Sequence, residues 1–216
     1  QAHGAARNSA AAARGTVELE LNSAGDTPLV AADSGRIISN GNFLVLGLTL
    51  AFEQAAIALA HVTALSVART KALMSSRMTG LPGTLIASTA PQTGLSILQE
   101  TATSLQAGIR LRANPSSLDF LPIADGVEDH ATGAMDSVAK VEGSIRDAWL
   151  ILAVELMTAA QAVDLRDDIG LGAGTRGAYE IIRRDVPFLR EDAPLSPFVE
   201  ALGSRVRSGA FIDEVV

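Results

Sequence analysis

Cysteine is missing from all 216 residues, which excludes a disulfide framework and a thiolate metal site and fits a cytoplasmic protein. Aromatic residues are only 4% of a chain that is 48% hydrophobic. The apolar content therefore rests on Ala, Leu, Val and Ile, which suits helices packed at small-residue contacts better than a β-sandwich. Basic residues are also in deficit: 17 Lys and Arg against 24 Asp and Glu leave a formal charge of −7. With no positive surface to neutralise phosphates, nucleic acid is not an expected partner. A signal-peptide pattern is absent, and the chain begins on Gln1 rather than Met, which points to a processed product or a fragment. No long apolar run is free of polar breaks. The nearest candidate, Phe43 to Ala68, is interrupted by Glu53, Gln54 and His61, so it reads as a buried bundle helix and not as a membrane span.

What is present is helical periodicity. A helix is expected over Gln1 to Leu21, then an ordered loop from Asn22 to Gly41 rich in turn formers around Leu29-Val30-Ala31. A second helix is expected from about Phe43 to Met74, ended by Gly80-Leu81-Pro82-Gly83, and a third from about Leu95 to Arg112, stopped at Asn114-Pro115. The longest is expected from Glu128 to Arg166, with Met135, Val138, Val141, Ile145, Ala148/Trp149, Leu152, Leu156, Ala159/Ala160 and Val163 recurring at steps of three and four. Asp167-Asp168 and a Gly-rich link through Gly177 follow. Short helices are then expected at Ala178 to Arg184 and Phe198 to Val206, either side of a Pro-punctuated stretch. The pattern implies one all-α domain spanning 1–216, or part of a larger one, whose long helices need a multi-helix bundle to cover them.

After an opening Gln1-Ala2-His3-Gly4-Ala5, six landmarks occur in a telling order: Asp26-Thr27-Pro28-Leu29, Ser39-Asn40-Gly41-Asn42-Phe43, Gly80-Leu81-Pro82, Pro115 to Asp119, Glu128-Asp129-His130, and Ala159-Ala160-Gln161-Ala162-Val163-Asp164-Leu165-Arg166. Together they resemble the second half of the aromatic amino acid ammonia-lyase family, whose members act on histidine, phenylalanine and tyrosine. The resemblance covers essentially the whole chain. It implies a long-helix bundle of the fumarase/aspartase kind and a lyase, or a 2,3-aminomutase, acting on an aromatic or histidine-like L-amino acid. It also implies a tetramer with four sites built from several subunits. The family's electrophile, 4-methylidene-imidazol-5-one (MIO), forms from an Ala-Ser-Gly triplet that this sequence lacks. The family's Tyr base and carboxylate-binding Arg also have no counterpart here. The resemblance therefore implies an N-terminal half or companion subunit that supplies them.

The same resemblance makes Glu128 the carboxylate facing the substrate's amino group or ring, Phe43 a pocket aromatic with Leu44 beside it, and Asn42 the amide that holds the loop and the electrophile's surroundings. A bland alternative for Glu128 is a carboxylate at a helix start, complementing the dipole. His130, His61 and His3 read as structural, Asp164 and Arg166 as ion-pair formers closing the long helix, and Trp149 and Tyr179 as packing residues. The sequence departs from the family pattern at Leu44, where His or Gln is usual, at Gly126-Val127 in place of Asn-Gln, and at Ala107-Gly108-Ile109 in place of Ser-Glu-Asn. Ser66-Val67-Ala68-Arg69 replaces Ser-Glu-Arg-Arg. Each swap is expected to remove polar partners. Either the pocket has become more apolar, or the chain is a non-catalytic assembly subunit.

Overall fold

The computed structural model describes residues 1–88, 90–166 and 169–213; the Asp167-Asp168 pair named above lies outside them. Among the described residues there are eight α-helices and one two-stranded sheet, so the all-α expectation holds. The chain divides into two compact units, residues 1–62 with 109–144 and residues 63–108 with 145–216.

The first unit opens with α1 (Ala2–Leu21), an Ala-rich helix that needs little packing to be a good helix former. The expected loop after it contains a hairpin. Strands β1 (Leu29–Ala31) and β2 (Arg36–Ile38) pair antiparallel with Val30 opposite Ile37, joined by a helical turn that Gly35 closes at φ 63°. Strands of three residues are too short to leave an alternating pattern in sequence.

Helix α2 (Leu46–Leu73) is long and apolar enough to cross a membrane by length and composition. Its buried residues nevertheless include Thr49, Glu53, Thr63, Ser66 and Thr70, a polar stripe at helical spacing that suits a protein neighbour better than lipid. The expected burial is met on that face only. Leu50, Ile57 and Leu65 are exposed. Helix α3 (Ser76–Thr79) ends on Gly80 in the left-handed conformation, and α4 (Ile97–Arg112) follows.

The longest helix, α5, spans Ala134–Asp164. The expectation that Glu128 opens it is incorrect. Gly133 precedes the helix at φ +62°, and a Cβ placed there would stand 3.1 Å from the Ser116 carbonyl oxygen. The chain turns here at a positive φ that strains any L side chain, and the tight approach adds to that cost, so glycine suits the position best. Glu128 instead pairs its backbone with Ile123: the Ile123 N–H donates to the Glu128 carbonyl at 3.1 Å, and the Glu128 N–H donates back at 3.3 Å.

Helices α6 (Ala173–Asp185), α7 (Ser196–Ser208) and α8 (Ala210–Asp213) complete the second unit. α6 starts inside what reads as a Gly-rich link, and α7 has Pro197 in its first turn, where a missing N–H costs nothing. The unit's core is built from Leu85, Leu95, Ile151, Met157, Ile181 and Leu202, all with almost no exposed surface.

Candidate functional site

Asn42, Phe43, Leu44 and Glu128 all belong to the first unit and all lie at its surface. Phe43 is 50% exposed and Leu44 40%. The turn that carries them is stitched by side chains: Asn40 donates its amide N–H to the Asp26 carbonyl at 2.7 Å, and the Asn42 N–H donates to Asn40 Oδ1 at 2.7 Å. Short turns of this kind place a side chain without needing a core. Phe43 and Leu44 precede α2, so they sit on a turn and not on the helix.

The Glu128 side chain is exposed and forms no ion pair among the described residues. It does not lie in a helix, so the dipole explanation for it fails. It stands six residues before α5, in a loop whose apolar side chains Leu118, Leu121, Ile123 and Val127 are also exposed. His130 follows on the same loop, edge to face with Phe120 at 5.3 Å between ring centres. Its Nε2 is buried without a hydrogen-bond partner.

What sequence reasoning missed lies beneath this loop. Glu53, only 8% exposed, accepts the N–H groups of Ser116 and Ser117 on Oε1 at 2.7 and 2.8 Å. The hydroxyls of Ser117 and Ser137 donate to it at 2.9 and 3.3 Å. Burial pulls its pKa up, but these four donors outweigh burial and hold the carboxyl below its ordinary value. Lys140 extends the arrangement, donating to the Asn114 carbonyl and to Ser116 Oγ, each at 2.8 Å. The signal available in the sequence was a lone carboxylate inside an apolar helix, which rarely survives burial unpaired.

The second unit contains the family landmarks of structural character. Gln161 is buried on α5. Its amide donates to the Leu85 and Leu189 carbonyls at 2.9 and 2.7 Å, and its oxygen accepts the Leu189 N–H at 3.1 Å. Asp164 accepts from the Tyr179 hydroxyl and, at 2.5 Å, from Arg183 Nη2. Tyr179 is thus held by a charged partner and not by packing alone, and its hydroxyl is pushed up by that carboxylate and by burial. Arg166 donates to the Thr79 carbonyl at 3.1 Å and so joins a backbone group where an ion pair was expected.

At Ser66-Val67-Ala68-Arg69 the two residues that match the family pattern keep a polar partner. Ser66 donates to Glu155 Oε2 at 2.5 Å, and Arg69 grips both oxygens of the same carboxylate, a bidentate geometry that strengthens the pair.

Comparison with known proteins agrees with the landmarks. The family model described as aromatic amino acid lyase matches residues 1–184. Histidine ammonia-lyases of Myxococcus xanthus and Stigmatella aurantiaca are 37% and 36% identical to the chain over 215 residues, which is 100% of this chain and 42% of each relative. The chain therefore spans about two fifths of the length of the relatives it matches. Among solved structures, histidine ammonia-lyase from Trypanosoma cruzi superposes with a TM-score of 0.94 at 26% identity, covering 100% of this chain and 42% of that one. Tyrosine aminomutase from Streptomyces globisporus gives 0.91 at 28%, covering 100% and 41%. The ergothionase of Treponema denticola gives 0.89 at 30%, covering 98% and 43%. A sequence match over most of the chain and the shared helical fold lead to one conclusion: the chain belongs to the aromatic amino acid lyase family.

Proposed function

We propose that this chain, 1–216 taken as one helical part of a larger fold, contributes to a carbon–nitrogen lyase that removes ammonia from an aromatic or histidine-like L-amino acid. What carries the reading is the likeness along the entire chain to histidine ammonia-lyases. Glu128 is available for the role: it is exposed on a surface loop, while Glu155, Asp164 and Asp185 are each committed to an Arg.

In this reading MIO, formed on an N-terminal half or companion chain bearing Ala-Ser-Gly, supplies the electrophile for the substrate's amine. The residues of this chain suit such surroundings by chemistry: a carboxylate for an ammonium, an amide for carbonyl groups and an aromatic face for a ring. Glu128 holds and orients the amino group, a carboxylate–ammonium contact that strengthens as a closed site excludes water. Phe43 and Leu44 line the side-chain pocket, and Leu44 makes it more apolar than His or Gln would. Asn42 keeps its turn in place. The working form is a cytoplasmic tetramer in which several subunits complete each site, with no role for nucleic acid or membrane.

Two other readings stay in view. The structural likeness to a tyrosine aminomutase supports transfer of the amino group to the neighbouring carbon on the same scaffold. The departures at Leu44 and Gly126-Val127 support an assembly subunit without chemistry of its own. The test is to assemble the chain with its Ala-Ser-Gly-bearing half and offer histidine, phenylalanine and tyrosine in turn. Ammonia release with the matching α,β-unsaturated acid supports the lyase, and a β-amino acid product supports the aminomutase. An assembly whose activity is indifferent to Glu128→Ala is a scaffold as far as this chain is concerned.

A further inference from the structure

The buried carboxylate of Glu53 is satisfied mainly by neutral donors, and their positions along the chain are informative. Ser116 and Ser117 stand at the start of the loop that leads to Glu128. Ser137 stands beyond its end, in the first turn of α5. The two ends are drawn together at two more points: Lys140 of α5 donates to Ser116 Oγ, and Gly133 packs so closely on the Ser116 backbone that a Cβ there would stand 3.1 Å from the carbonyl oxygen.

Between these ends the loop has little to hold it. Leu118, Leu121, Ile123 and Val127 are all at least 59% exposed, and its internal order among the described residues is the backbone bridge between Ile123 and Glu128, the ring contact of Phe120 with His130 and a few tight turns. A loop without a core takes its position from its anchors.

We propose that Glu53 is a positioning residue for the reaction: by clamping both ends of the loop it sets where the Glu128 carboxylate stands. The proposal rests on the role given to Glu128 above and adds a second residue, on α2, that never meets substrate. Its carboxylate is suited to the task because one oxygen can accept three donors while the other takes a fourth, a fan that an alcohol or a shorter acid cannot supply.

The experiment uses the full chain assembled with its Ala-Ser-Gly-bearing half and compares Glu53→Ala, Glu53→Gln, the pair Ser117→Ala with Ser137→Ala, Glu128→Ala, and Glu53→Ala combined with Glu128→Ala. Amide hydrogen exchange over residues 118–133 is measured beside kcat, with residues 173–185 as the internal reference. Glu53→Ala is expected to speed exchange in the loop about tenfold or more while leaving the reference unchanged, and to lower kcat roughly 10- to 100-fold through misplacement of Glu128. The double serine variant, which leaves the carboxylate in place and guards against a Glu53→Ala chain that fails to fold, is expected to follow it. Glu53→Gln is expected to restore both readouts, since its oxygen keeps three donors and Ser117 can turn to accept from the amide. On the Glu128→Ala background, Glu53→Ala is expected to add nothing.

Unchanged exchange in Glu53→Ala, or a kcat loss that persists in full on the Glu128→Ala background, overturns the proposal while leaving the Glu128 reading intact. Full activity in Glu128→Ala overturns both together.

Discussion

Residues 63–108 and 145–216 bury large apolar side chains in quantity, from Leu85 and Leu95 through Ile151 and Met157 to Ile181 and Leu202. Residues 1–62 and 109–144 bury only Ile109 and Val141 of that class, with Ala13 and Ala56 beside them as small apolar residues, among the described residues. The first of these regions is stabilised chiefly by hydrophobic burial, worth roughly 1.5–3 kcal/mol for each large side chain, with buried or half-buried ion pairs at its margins. The second has almost none of that and depends on the polar fan around Glu53. Every residue proposed for the site sits in the sparse region. If that surface is completed by other chains, as proposed, it can expose its functional groups, but it must fix their positions with hydrogen bonds because it has little core to do so.

Substitutions should therefore separate stability from activity according to region. The largest effect is expected from Gln161→Leu, which strands two carbonyls and an N–H that are now satisfied. We expect a loss of about 3–5 kcal/mol in thermal or denaturant unfolding of the assembled protein, with kcat per folded molecule unchanged. Next, Glu128→Ala should lower kcat by roughly 100- to 1,000-fold with no measurable change in melting temperature. A melting temperature that falls with it would erase the distinction between the regions.

A smaller effect is expected at the α6–α7 contact, where Arg205 holds Asp185 in a bidentate pair. Arg205→Ala should cost about 1 kcal/mol, since both side chains keep some exposure. The pair also has a pH signature. Arg205 chiefly, opposed by burial and helped by Arg184, keeps Asp185 below its ordinary value near 3.8. A depressed carboxyl contributes stability that is full above the unfolded value and disappears as pH falls through the folded one. The difference between parent and Arg205→Ala should accordingly be constant from neutrality down to about pH 5 and shrink below the ordinary aspartate range. Smallest of all, Arg14→Ala on α1 breaks an exposed i,i+4 pair with Glu18 and should stay within about 0.5 kcal/mol in the same unfolding measurement.

Most of the helical framework could be read in the residues. The repeating apolar steps of α5, the Ala-rich α1 and the stop at Asn114-Pro115 are local signals, and the helices lie close to where those signals place them. The failures are those of non-local cause. Glu128-Asp129-His130 resembles a helix start, but the true start is set by the Ser116 carbonyl lying against Gly133, a contact between residues far apart in sequence. The β1–β2 hairpin rests on pairings too few to mark the chain.

The candidate site was read on a different ground: Phe43, Asn42 and Glu128 stood out only by resemblance to a family, and nothing in their own surroundings distinguishes them in this chain. Glu53 carries the opposite lesson. It was noticed only as an interruption in an apolar stretch, although a buried charge is the residue most in need of explanation. The partner of Ser66 and Arg69 was equally hidden from a local reading, because the acceptor, Glu155, lies on another helix 89 and 86 positions away.

The outer flank of α2 has a practical consequence. Leu50, Ile57 and Leu65 recur on it at about two-turn intervals and are left open to water, a greasy seam of the sort that drives polypeptides into inclusion bodies. Ribosomal output of this chain alone should overwhelm chaperones and sediment, whereas simultaneous production with the complement proposed above should raise the recoverable yield, so the ratio of the two expression levels, more than temperature or salt, is the variable to tune at the bench.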